Sequence, residues 1–271
     1  MSRVSIWALA GATAFVSTAA FAADLPALQP FIAVPVETSG WYLRGDIGMS
    51  NQQLKNISHP SFATAPQFAF DDKGSFDSAP FFLVGLGYQL NNWLRFDITG
   101  EYRGKAGFHA LDRYNFGGFH TNEYTASKSE WVVLANAYLD LGTWWCITPF
   151  IGAGVGWAQN RIEHFRDVNV IAAGGGWADS GTANNLAWAL HAGASYKVTN
   201  SFAVEVSYRY LNLGKAQTGN LVNLDPTLVS GNPLAPMTFN GIYSHDVMLG
   251  VRWMMQPELP PAYAPPLIRK G

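Results

Sequence analysis

Apolar side chains in this chain recur at every second position, and they never run on long enough for a helix to cross a bilayer. No stretch of 18 consecutive apolar residues occurs, which excludes a helical membrane bundle. The chain is 48% hydrophobic and 14% aromatic but only 13% charged, against about 25% in an average globular domain. Its mean hydropathy is nevertheless only +0.03. A lipid-facing β-barrel produces this combination, because outward apolar residues alternate with inward polar ones.

The period-two pattern predicts eight strands, over 41–49, 80–90, 93–103, 130–141, 146–159, 185–198, 202–211 and 242–254. The third is the plainest: Leu94, Phe96, Ile98 and Tyr102 alternate with Arg95, Asp97, Thr99, Glu101 and Arg103. Turn residues Asn91-Asn92 and Thr199-Asn200-Ser201 supply tight links. Short links alternate strictly with long ones at 50–79, 104–128, 160–184 and 213–240. An even strand number puts both ends of the barrel on one side. The expected fold is all-β: an eight-stranded antiparallel up-and-down transmembrane β-barrel with short periplasmic turns and long surface loops. A soluble eight-stranded barrel would have to turn the apolar face inward and the charges outward. Here one face is nearly pure Leu, Val, Ile and aromatic, so it is the face that meets lipid. An Arg on that side would cost roughly 2–4 kcal/mol at the bilayer midplane.

The opposite face carries Arg44, Asp46, Arg95, Asp97, Glu101, Arg103, Glu130, Asp140, Lys197, Glu205, Arg209, Asp246 and Arg252, seven acids and six bases. The interior of an eight-stranded barrel is just wide enough for side chains to fill, and buried charges need partners. A paired polar network that fills the lumen is therefore expected. A narrow channel for ions or small solutes is the alternative. Trp41, Trp93 and Trp253 fall near one set of strand ends and Trp131, Trp157 and Trp188 near the other, as two interfacial girdles. The period-two glycines Gly152, Gly154 and Gly156 lack the spacing and following helix of a nucleotide loop; they make room for large side chains opposite.

Residues 1–22 read as a secretory signal peptide. Arg3 precedes a short apolar stretch, and Ala20-Phe21-Ala22 fits a small-x-small cleavage site before Ala23. Its removal takes away one Arg and no acid, so the net charge moves from −2 to −3. That balance offers nothing to nucleic acid. A Pro-containing linker follows over 23–39, the barrel spans 40–255, and a Pro-rich tail occupies 256–271. Both extensions are expected in the periplasm. Cys146 is the only cysteine, so no internal disulfide forms.

Catalysis finds no support in the residues. Ser244-His245-Asp246 are neighbours in a strand and point to alternate faces. His191 faces inward and joins the polar core. His59, His109, His120 and His164 are scattered over the loops without metal-ligand spacing. No enzyme activity, metal or cofactor is expected.

Gly40-Trp41-Tyr42-Leu43-Arg44-Gly45-Asp46-Ile47-Gly48 resembles the first strand of the porin-like, opacity-type outer-membrane β-barrel proteins of alphaproteobacteria. Asn136 to Gly142 followed by Thr148 to Gly156 resembles their central hairpin, and Phe202 to Tyr210 and the final strand are similar too. The resemblance spans about Gly40 to Met254 and implies a small surface barrel of the Gram-negative outer membrane. Envelope integrity, adhesion and host contact are the roles it implies. Outer-membrane lipids and lipopolysaccharide would be its surroundings, and loops its means of touching host or surface ligands. Family members end on the last strand with an aromatic residue; this chain runs on past Met254, so Trp253 would serve internally. Ala23-Asp24 before the linker resembles the start of related barrels joined covalently to peptidoglycan through their terminal amine.

Overall fold

The computed structural model describes residues 39–115, 117–170, 174–224 and 234–255. The predicted signal peptide, linker and tail lie outside these residues. In chain order the strands are β1 (Gly40–Gln53), β2 (Asn56–Ser58), β3 (Ala69–Phe76), β4 (Ala79–Gln89), β5 (Leu94–Asn115), β6 (Phe119–His120), β7 (Asn122–Asp140), β8 (Ile147–Asn169), β9 (Gly175–Ala178), β10 (Gly181–Lys197), β11 (Phe202–Asn223) and β12 (Leu234–Met254). Among the described residues one 3-10 turn covers Pro60–Ala63.

Eight of these strands close a ring in the order β1, β4, β5, β7, β8, β10, β11, β12 and back to β1, every pairing antiparallel. Following the register from Leu43 through Leu86, Ile98, Ala135, Val155, Trp188, Asn212 and Tyr243 returns to β1 at Gln53, ten residues further along. Such a stagger requires strands tilted by roughly 35–45°. The short turns are built by side chains that satisfy the freed backbone. The Asn91 Oδ1 accepts from the backbone N–H groups of Trp93 (3.0 Å) and Leu94 (2.8 Å). The Thr199 Oγ1 accepts from that of Phe202 (3.0 Å).

The strands are longer than the alternation predicted. Much of the chain expected as long surface loops is the same strands continuing: β5 runs to Asn115, β8 to Asn169 and β11 to Asn223. Beyond Lys105 alone, β5 rises about 33 Å along its axis. β2, β3 and β9 extend the wall by pairing with the upper parts of β12, β5 and β8.

The inside of the barrel changes character where this extension begins. Lower down, outward positions are apolar and exposed, as at Phe96 and Ile98, while Arg95 and Asp97 are buried inside. Higher up, the buried inward side chains are Ala106, Phe108, Ala110, Tyr124, Phe165, Leu213 and Phe239, which form one apolar cluster. The switch is made by irregularities in the ladder. β5 gains one residue on β7 between Arg103 and Ala106, and β8 gains one between Glu163 and Arg166, where His164 takes a φ of +54°. β11 and β12 shift register around Gly214, and both Gly214 and Gly241 have positive φ. One inserted residue exchanges the two faces of a strand.

In the lower barrel, glycine makes room for the aromatic rings that fill the lumen. A Cβ on Gly152 would run into the Tyr138 ring, and one on Gly87 into the Tyr42 ring. Gly152→Val is expected to lower stability by about 1–3 kcal/mol through overpacking. Val at Ala153, the outward neighbour, should change it little. Urea midpoints after refolding into lipid vesicles measure both.

Candidate functional site

The lower lumen is a closed set of ion pairs. Arg44 Nη2 lies 2.8 Å from Asp46 Oδ1 and its Nη1 lies 3.1 Å from Asp97 Oδ2. Arg95 reaches Asp140 (3.1 Å) and Glu205 (3.3 Å), and Arg252 also reaches Glu205 (3.0 Å). A tier above, Arg103 meets Glu101 (2.7 Å), Glu130 (2.9 Å) and Asp246 (2.8 Å). Arg209 meets the same Glu101 (2.7 Å) and Asp246 (2.8 Å). Arg95–Glu205, Arg103–Asp246 and Arg209–Glu101 join strands far apart in the ring and so bridge the lumen, while most of the other pairs lie within one strand or between neighbours. Guanidinium planes also stack on rings: Arg95 lies 4.5 Å from the centroids of both Tyr138 and Phe150, and Arg103 lies 4.8 Å from that of Phe81. Cations over ring faces gain from the quadrupole when desolvated.

Of the predicted lumen residues, Arg44, Asp46, Arg95, Asp97, Glu101, Arg103, Glu130, Asp140, Glu205, Arg209, Asp246 and Arg252 are buried in this network. Lys197 is not. It is the last residue of β10 and is exposed at the barrel's end, where the wall no longer encloses an inward side chain. Lys128 occupies the sixth basic place: it is buried and pairs with Glu130. Sequence reasoning placed Lys128 in a loop because strand β7 was expected to start later. Of the neutral members, it placed His191 in the polar core and left Tyr42, Asn136 and Tyr138 out of the network. The hydroxyl of Tyr42 donates to Asp97 (3.1 Å), Arg44 donates to the hydroxyl of Tyr138 (3.0 Å), and the Asn136 amide donates to Asp97 (2.8 Å). The His191 Nε2 lies 3.2 Å from Asn136 Oδ1. Their inward parity along the strands was the available signal.

The aromatic residues Trp41, Trp93 and Trp253 stand outward and exposed at the lower end, as do Trp131, Trp157 and Trp188 higher on the wall. The upper set is joined by further rings. Tyr102 lies 4.9 Å from Trp131, and Trp188 lies 5.4 Å from Tyr210, which packs on Tyr243 and His245. Ser244 and Asp246 are buried inside, whereas the His245 ring faces outward with its Nδ1 2.5 Å from the Tyr208 hydroxyl. The three do not converge. Among the described residues no cluster of His, Cys, Asp and Glu is arranged to hold a metal ion. Cys146 is exposed in a two-residue turn between Trp144 and Ile147.

Well above the girdle a second polar group sits within the apolar upper core. Asp112 is fully buried and accepts from the Tyr124 hydroxyl (2.5 Å) and the Asn122 backbone N–H (3.0 Å). Asp167 is Tyr124's partner across β7 and β8. Burial pushes the Asp112 carboxyl up. Burial, followed by the charge of Asp112, pushes Asp167 up to about 7.

Residues 8–253 match the outer membrane protein beta-barrel domain family. An uncharacterized protein of Brucella abortus is 27% identical over 264 residues, covering 87% of this chain and 93% of its own. The outer membrane protein PagN of Salmonella typhimurium is 37% identical, covering 70% of this chain and 82% of its own. A Rickettsia prowazekii protein named for adhesion is 26% identical, covering 79% and 86%. Among solved structures, the outer membrane protein OprG of Pseudomonas aeruginosa aligns with a TM-score of 0.47 at 10% identity, covering 81% of this chain and 98% of its own. The chain therefore belongs to the outer membrane protein β-barrel domain family. It is a surface β-barrel of the Gram-negative outer membrane.

The raised carboxyl sets a pH dependence. An unfolded Asp titrates near 3.9, so between about pH 4 and pH 7 folded Asp167 keeps a proton that the unfolded chain releases. Folding stability should fall as pH rises through that window, by an amount on the order of a few kcal/mol, and level off above it. Asp167→Asn should remove most of this slope and be the more stable protein at pH 8. Urea midpoints in vesicles at pH 5 and pH 8 test it.

Proposed function

We propose that this protein is a closed structural barrel that contributes to the integrity of the outer membrane and presents its upper wall and loops to host or surface ligands. The observation that carries this reading is the bridged lumen. Arg103 of β5 reaches across to Asp246 of β12, and Arg209 of β11 reaches across to Glu101 of β5, with all four side chains buried. Opening a path would separate desolvated charges, and leaving one partner of a buried pair alone costs about 3–5 kcal/mol. This weighs against a narrow-channel porin. The strands that continue above the girdle support a presenting role, because they hold surface residues on a rigid scaffold. The adhesion named for the Rickettsia prowazekii relative is consistent with it.

Planar-bilayer recording is expected to show no stable conductance from the intact protein; a steady open channel would restore the narrow-channel reading. A deletion strain should become more sensitive to detergent. A strain lacking only the loop tips should keep its envelope intact but lose cell adhesion. Loss of neither property on full deletion would contradict the structural role.

The proposal includes a periplasmic attachment. An extended Pro-containing linker is suited to reach the cell wall, and the chain after cleavage would begin at Ala23. Sacculi digested with trypsin and muramidase should yield a muropeptide amide-linked to Ala23 by mass spectrometry. Only the free Ala23 peptide in the digest would exclude it.

A further inference from the structure

Above the end of β1 the wall is no longer a closed ring. Its ladder runs β3, β5, β7, β8, β9, β11, β12, β2, and among the described residues no pairing joins β2 to β3. Unpaired strand edges need cover. Residues 59–68 supply it. They leave β2, make the 3-10 turn Pro60–Ala63 and lie across the seam. Phe62 in that turn packs against the upper apolar cluster, with its ring stacked on Phe68 at 4.2 Å and edge-on to Phe70 at 5.4 Å. At the far end the Pro66 carbonyl accepts from the Asn115 backbone N–H at the tip of β5 (2.9 Å). The Gln67 Oε1 accepts from the Asn115 amide (3.2 Å).

At the near end this strap is fixed by one imidazole. The His59 Nδ1 accepts from the Ser61 backbone N–H (3.2 Å), which caps the turn, and its Nε2 lies 3.0 Å from the Ala235 carbonyl of β12. A backbone N–H only donates and a carbonyl only accepts, so the ring is neutral with its proton on Nε2. A second proton falls on Nδ1, where the cap needs a lone pair. The Ser61 Oγ, 2.6 Å away, can accept that proton, but the Ser61 N–H then loses its acceptor. Water reaches the ring from outside, because His59 lines an outward cleft of about 510 Å³ with Pro60, Gln217 and Thr238. The side chains facing it from the turn, β2, β11 and β12 are Ser61, Phe62, Ser58, Gln217 and Thr238, and none of these is charged.

We propose that residues 59–68 are an acid-released strap: a second proton on His59 removes the cap from the turn, which unwinds and withdraws Phe62 from the seam between β2 and β3, while Nε2 keeps its hold on β12. Phe70 and Tyr124 beneath are then uncovered. The direction follows from the contacts. Burial holds the His59 imidazole below its usual range, against the pull of the Ala235 hydrogen bond. In the released strap the ring titrates near 6.5. Below that pH the released form gains a proton that the closed form lacks, so acid favours release. Asp112 and Asp167 have the opposite sign, because burial pushes both carboxyls up and acid holds them in the folded core. Acid therefore loosens the cover while it firms the core beneath. The device gives the upper wall an apolar seam in acid surroundings alone, whether or not the loops adhere to cells.

The test is hydrogen–deuterium exchange of the full-length protein in detergent micelles at pH 7.5 and pH 5.0, read by mass spectrometry and corrected for the intrinsic rate at each pH. Losing the cap should speed exchange over 59–70 by about five- to tenfold at pH 5.0 relative to pH 7.5. The parts of β5 and β12 below the girdle should stay equally protected, which shows that the barrel is folded. His59→Asn supplies a cap that does not titrate, so 59–70 should stay protected at both values. His59→Ala should exchange fast at both. Asp167→Asn should keep the parent's response, which separates the strap from the buried carboxyls. Equal protection of 59–70 at the two pH values in the parent overturns the inference. So does a parent-like acid response in His59→Asn, or its loss in Asp167→Asn.

Discussion

Everything in this barrel follows from what lies outside its wall at each height. A strand has two faces and only one residue in two for each, so choosing the outward set also chooses the inward one. In the bilayer, outward positions must be apolar, and the lumen receives what remains: Arg44, Asp97, Arg103, Glu101, Asp246 and their partners. Above the bilayer the outside is water. There the outward set becomes Lys105, His109, Arg161 and Glu163, and the inward set becomes Phe108, Phe165, Leu213 and Phe239. The protein is inside out below the girdle and an ordinary apolar-cored barrel above it. The inserted residues between Arg103 and Ala106 and at His164 are where the two regimes are spliced.

The lower lumen could not be left polar and unpaired. Charges removed from water need close partners and hydrogen bonds to offset the desolvation penalty. The network supplies them by sharing: Glu205 serves both Arg95 and Arg252, and Asp246 serves both Arg103 and Arg209. Glycines at Gly87 and Gly152 let Tyr42 and Tyr138 fill the remaining space. The filled, cross-bridged interior is the physical argument behind the proposed structural role.

The membrane-spanning part was legible in the sequence because lipid enforces a strict code. Leu94, Phe96, Ile98 and Tyr102 against Arg95, Asp97, Glu101 and Arg103 admit one orientation, and the ring of eight strands follows. The extensions were harder to see. After the bulge on β5, Ala106, Phe108 and Ala110 remain on even positions, so the sequence phase is unbroken while the face they occupy is reversed. Small residues such as Ala106, Ala110 and Ala126 also weaken the contrast, since water outside tolerates Gly107, Thr125 and Ser127 without demanding charge. Lys197 was misplaced for the complementary reason: its parity is inward, but parity says nothing about where the wall ends. Lys128 and the buried Asp112–Tyr124 pair were hidden by the same late start assigned to β7 and early end assigned to β5.

The reversal of faces can be measured position by position. Single nitroxide labels at Phe96, Ile98, Tyr102, Lys105, His109 and Arg113 along β5, with the protein in vesicles, report contact with lipid-soluble oxygen against a water-soluble nickel chelate. Strong oxygen contact is expected at Phe96, Ile98 and Tyr102, and strong nickel contact at Lys105, His109 and Arg113, with the crossover falling at the bulge between Arg103 and Ala106. Oxygen contact that persists at His109 and Arg113, or nickel contact at Phe96 and Ile98, would contradict the account.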